Sequence, residues 1–157
     1  MKRTKTEKEA LEALFSYCNY QERCSSEVLT KLSSFDISNE AKDGIIEELK
    51  EFNYLNDERF TESYVRGKHS LKGWGKNKIK SALFQKKIAA ENIDKAFNKI
   101  LDAELYEEKL EKLFHKKWNM LSNKKDMKSR QKLFRYLYAK GYESSLINTL
   151  ISQNFTT

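Results

Sequence analysis

The chain has 157 residues, 34% of them charged, no proline, five glycines and a net charge of +7. That length holds one domain or an array of two or three small units, and a balance dominated by Leu, Ile, Lys and Glu favours helix and disfavours sheet. No apolar run approaches the ~18 residues of a membrane span, so a cytoplasmic protein is expected. There Cys18 and Cys24 are free thiols without the paired spacing of a zinc site.

The first helix is expected over Glu7–Tyr20, with Leu11, Leu14, Phe15 and Cys18 on one face. Ser25 is a candidate N-cap for a short helix carrying Val28 and Leu32. A turn over 33–37 leads to Ser38, a second cap candidate, and to a helix with Ile45, Ile46, Leu49 and Phe52. Asn56 or Asp57 caps the next helix, whose inner face is Phe60, Tyr64 and Val65. Gly67 and the Gly73-Trp74-Gly75 loop follow, then one helix anchored by Ile79 and Leu83 and another by Ile93, Phe97 and Ile100. Leu105, Leu110, Leu113 and Phe114 start the last group, and 124–129 reads as a loop. Leu133 and Leu137 lie on the next helix, Gly141 sits where a C′ glycine ends it, and Ile147, Leu150 and Ile151 close the chain.

One spacing recurs through this order. Val28, Leu32 and Ile37 are four and then five residues apart; Ile79, Leu83 and Ile88 repeat this, as do Leu133, Leu137 and Tyr142. A second helical pair follows each copy: Ile45 with Leu49, Ile93 with Phe97, Ile147 with Ile151. Self-similarity at a period of 51 and 54 residues signals an array of small units. Units of this size bury too little surface to stand alone, so they are expected to stack. The expected fold is all-α: three tandem three-helix repeat units over 1–56, 57–101 and 102–157, forming an elongated, curved array.

Charge is uneven along that array. Residues 1–56 carry eight basic and eleven acidic groups (net −3), residues 57–101 eleven and five (+6), and residues 102–157 eleven and seven (+4). From Ser63 to Ala90 there are eight basic residues and no acid. This asymmetry points to a polyanion on the second and third units. Lys76, Lys80 and Lys87 fall along one flank of their helix, preceded by Arg66, Lys68 and Lys72. Trp74 reads either as a base-stacking platform or as a loop anchor buried between units. In the third unit Lys128, Lys132 and Arg135 share one face; Tyr136 is expected inside, and Tyr138 on either side. These are backbone-type contacts, with no dedicated base-reading helix. No catalytic constellation, phosphate loop or cofactor motif is present, and His69 and His115 have no evident partner and read as exposed or half-buried.

Three segments resemble the bacterial RecX family, regulators of the RecA recombinase. Arg23-Cys24-Ser25-Ser26-Glu27-Val28-Leu29-Thr30-Lys31-Leu32 is similar to the family's Arg-Ser-x-x-Glu-Leu-x-x-Lys-Leu. Leu55-Asn56-Asp57-Glu58-Arg59-Phe60 resembles Leu-Asp-Asp-x-x-Phe, and Gly73 with Ile79, Leu83, Lys87 and Ile88 resembles the Gly-x-x-x-Ile-x-x-x-Leu-x-x-x-Gly-Ile segment. Gly141-Tyr142 is similar to the closing Gly-Phe/Tyr motif. The likeness runs over about residues 8–154. Cys24 stands where Ser is usual, which would shift a cap to Ser25. Lys87 replaces a helix-ending glycine, which would loosen that turn. Gln21 and Glu22 dilute the basic character of the first motif.

The resemblance implies a non-enzymatic regulator that lies in the groove of the RecA–single-stranded-DNA filament. Strand exchange, ATP turnover and the coprotease role would be inhibited, in the setting of DNA repair, recombination and the SOS response. Its partners would be the recombinase filament and single-stranded DNA, with double-stranded DNA as a second polyanion bound without sequence preference. A monomer without cofactor or membrane contact is expected. Two other readings fit the residues alone: a DNA-binding regulator built of tandem helix-turn-helix-like units, and a structural adaptor whose basic surface is incidental.

Overall fold

A computed structural model describes residues 3–156, and among them nine helices and no strand. They are α1 (Lys5–Tyr20), α2 (Ser25–Leu32), α3 (Asn39–Glu51), α4 (Asp57–Lys72), α5 (Lys76–Gln85), α6 (Ala90–Ile100), α7 (Ala103–Met120), α8 (Met127–Ala139) and α9 (Ser144–Phe155). They form three cores rather than one. Leu14, Val28, Leu32, Ile45 and Leu49 fill the first, Val65, Ile79, Leu83 and Ile93 the second, and Phe114, Leu133, Leu137, Tyr142 and Ile147 the third. All the residues of the recurrent spacing are buried except Ile37, which is half-buried. The exposed area is 10108 Å², against about 8,200 Å² for a compact chain of this mass. Three cores and this excess surface make the molecule an elongated array of three-helix units.

The helix ends follow local chemistry. Thr4 and Glu7 form a reciprocal capping box on α1, which starts two residues before the expected Glu7. Ser38 caps α3 through its hydroxyl, 3.1 Å from the Ala41 N–H, and Asn56 caps α4. The expected cap at Ser25 is corrected. Cys24 is the N-cap of α2, Glu27 accepts from its N–H at 3.1 Å, and the Ser25 N–H donates instead to Asp57 of the next unit at 2.7 Å. The stretch expected as a loop over 124–129 is also shorter. Asp126 accepts from the Ser129 N–H at 2.8 Å, starts α8 at Met127, and has its carboxyl held below the usual range by that bonding to Ser129. Within α4 the chain stays helical through Gly67 and ends at Gly73, which is left-handed at φ 69°.

The two joints between units differ in kind. At the first, side chains carry the contact. Buried Cys24 enters the second core, the Ser26 hydroxyl donates to the Lys86 carbonyl at 2.6 Å, Lys86 pairs with Glu27 at 3.3 Å, and Arg59 pairs with Glu22 at 2.7 Å. Burial pushes the Cys24 thiol above its ordinary pKa, which keeps it neutral in that position.

At the second joint, backbone meets backbone. The Gly75 N–H donates to the Lys140 carbonyl and the Asn77 N–H to the Gly141 carbonyl, both at 2.8 Å. A Cβ on Gly75 would lie 2.5 Å from the Gly141 carbonyl carbon and oxygen, so only glycine permits the approach. Tyr106 donates to Glu143 and accepts from the Lys76 N–H at 3.0 Å, while the Tyr142 hydroxyl donates to the Gly73 carbonyl at 3.1 Å. Burial, reinforced for Tyr106 by the Glu143 bond, raises both phenols far above their usual range, so they remain neutral donors. His69, expected exposed or half-buried, is buried here: its ring stacks on Tyr106 at 5.3 Å and its Nδ1 is 2.9 Å from the Trp74 carbonyl.

Candidate nucleic-acid interface

The ten cationic and aromatic candidates separate into three groups. Lys128, Lys132 and Arg135 are exposed on one row of α8, on the side opposite the buried Leu133 and Leu137. Spacings of four and three residues put them within one narrow stripe of the helix. None of the three takes part in an ion pair among the described residues.

The second group is exposed but scattered. Arg66 and Lys72 stand on the last turns of α4, and Lys87 lies past the end of α5. Lys87 holds the left-handed conformation (φ 61°) that a glycine would adopt without strain, and the Ile88 N–H still reaches the Leu83 carbonyl at 3.1 Å. The turn expected to loosen there stays tight.

The third group is half-buried and leans on aromatic rings. Lys76 and Lys80 share a face of α5, with ammonium groups 4.8 Å from the Tyr106 centroid and 5.7 Å from that of Phe84. Lys68 lies 5.3 Å from the Tyr64 ring and 4.9 Å from the Trp74 ring. Trp74 packs against the second core, with part of its surface open.

That open part lines a groove of about 460 Å³ between α5 and α8, across the second joint. Trp74 and Lys78 stand on the second-unit side and Tyr138 on the third-unit side, and no Asp or Glu lines it. Sequence reading missed Lys78, whose ammonium is 4.5 Å from the Trp74 centroid; its position four residues after Trp74 was the available signal. Tyr138 proves to be exposed and stacks on Phe134 at 5.5 Å, while Tyr136 is half-buried under Lys117 and Lys140. In the first unit Arg23 sits over the Tyr17 ring at 3.7 Å and donates to its carbonyl, so this basic residue is spent on local packing.

The fold defines a class: an all-α repeat protein of three-helix units, with an exposed cationic row on α8 of the third unit. The chain matches the models of the second three-helix domain of RecX over residues 56–96 and of the third over residues 104–151. It is 36% identical over 132 residues to the regulatory protein RecX of Clostridium perfringens, covering 82% of this chain and 60% of that relative. To the RecX of Lactobacillus johnsonii it is 29% identical over 153 residues, covering 98% of this chain and 56% of the relative. It spans less than two thirds of the length of either. The crystal structure of RecX from Lactobacillus salivarius superposes with a TM-score of 0.84 at 29% identity, covering 95% of this chain and 96% of that one. A further crystal structure of a regulatory protein RecX gives 0.81 at 27% identity, over 94% and 73% of the two chains. The chain belongs to the RecX family of regulatory proteins. No described helix is long and apolar enough to cross a membrane.

Proposed function

We propose that this chain regulates RecA by lying along the recombinase–single-stranded-DNA filament and stabilising a stalled state. In that state strand exchange, ATP turnover and coprotease action fall. A ligand shifts an equilibrium only by its preference for one state, so the array must bind the stalled filament more tightly than the active one. Membership of a family of RecA regulators supports the target. The observation that carries the mode of contact is the exposed, unpaired row Lys128, Lys132 and Arg135 on a unit rigidly fixed to its neighbour. Such a row matches a repetitive polyanion, and its contacts carry no sequence preference. The acidic first unit suits contact with protein better than contact with phosphate.

The test is the salt dependence of binding to filaments. Replacing Lys128, Lys132 and Arg135 together with Ala should reduce the slope of log K against log salt by about 2, at roughly 0.7 per phosphate contact. The Lys76/Lys80/Lys87 triple should change it by less, because Lys76 and Lys80 are half-buried against rings. An unchanged slope in the first triple removes the α8 row from the interface.

A further inference from the structure

The α5–α8 groove has a composition unlike the other surface clefts. Four others each carry at least one glutamate: Glu22 and Glu27, Glu27 alone, Glu107 with Glu111, and Glu22 again. This one carries none; it offers an aromatic ring on either side, the Lys78 ammonium, and the amides Asn77 and Gln85. Its volume of about 460 Å³ lies in the range of small-ligand pockets. Gly141 lines it, and the backbone hydrogen bonds from Gly75 and Asn77 to Lys140 and Gly141 tie its two walls together.

Two first-turn donors of α5 are already used. The Lys76 N–H goes to the Tyr106 hydroxyl and the Asn77 N–H to the Gly141 carbonyl. What the groove presents is aromatic surface from Trp74 and Tyr138, the amides and one cation. The cationic row of α8 leads into it: Lys128, Lys132 and Arg135 continue on the same stripe to Ala139, which lines the groove.

We propose that the groove is a base-stacking clamp for single-stranded nucleic acid, with unpaired bases seated against Trp74 and Tyr138 and phosphates running along Lys128, Lys132 and Arg135. This rests on the filament reading above and locates its nucleic-acid contact at the second joint. Stacking is sequence-tolerant because every base has a π-face, and duplex, whose bases are already stacked, is excluded from the clamp.

The experiment uses the full chain with Trp118→Phe, which leaves Trp74 as the sole tryptophan, and a labelled thymidine 20-mer followed by anisotropy and by tryptophan emission. The clamp predicts quenching of Trp74 in step with binding. It also predicts an affinity loss of about 5- to 150-fold in Tyr138→Ala, and near-retention with unchanged melting in Tyr138→Phe, which keeps the exposed ring stacked on Phe134. Binding without quenching, a Tyr138→Ala affinity equal to that of the parent, or no binding at low salt each overturns the clamp. Quenching with the predicted losses, combined with no effect on RecA ATP turnover, upholds the clamp and removes the filament reading instead.

Discussion

Gly75 and Gly67 show how differently the same residue can act. A methyl group on Gly75 would fall 2.5 Å from the Gly141 carbonyl and 2.6 Å from the Tyr142 nitrogen, all backbone atoms of the third unit. They cannot rotate away, so Gly75→Ala must open the joint, and a loss of about 1–3 kcal/mol is expected in urea melting. Gly67 lies inside α4 with nothing within 4 Å of an added Cβ. Gly67→Ala should gain about 0.5–1 kcal/mol through the lower entropy cost of a helical alanine. Effects of equal sign at the two positions would contradict this account of the joint. The sequence shows Trp74 between two glycines and marks Gly141 as a helix end. That Gly75 and Gly141 serve each other depends on a contact between distant units, which no local spacing encodes. The burial of His69 is hidden from the sequence for the same reason: its partners, Tyr106 and the Trp74 carbonyl, come from a different helix and a loop.

Helices were the most legible level, because a 3.6-residue period records burial directly. Each pair that defined the repeat, from Val28 with Leu32 to Ile147 with Ile151, is buried. Errors gathered at the ends, where a distant partner can take over a backbone group. Asp57 claims the Ser25 N–H and leaves the cap at Cys24. At the end of α5, Lys87 keeps a turn that favours glycine. A left-handed non-glycine residue costs about 1–2 kcal/mol, and the extra freedom glycine adds to the unfolded chain offsets about 0.4–1 of that. Lys87→Gly should therefore raise stability by about 0.5–1 kcal/mol. It should also lower the salt slope of filament binding by about 0.7 if this ammonium meets a phosphate. Destabilisation in chemical melting would show that the Lys87 side chain contributes more than its backbone strain costs.

Across the whole molecule, three cores replace one. The repeat in the sequence anticipated this, and the rigidity of the second joint was the part it did not disclose. A compact chain of this length has a radius of gyration of about 15 Å. The excess surface and separate cores predict a clearly larger value in small-angle scattering; a value near 15 Å would mean that the units fold back on one another. The first joint rests on the Glu22–Arg59 and Glu27–Lys86 pairs, so it is the more salt-sensitive of the two. The functional account requires the basic second and third units to act as one body on a recombinase filament. ATP turnover by preformed RecA filaments on single-stranded DNA, recorded as the chain is added, tests this most directly. The account predicts turnover that falls with the unaltered chain and falls far less with the Lys128/Lys132/Arg135→Ala chain. Turnover that stays level with the unaltered chain at saturating concentration would contradict it.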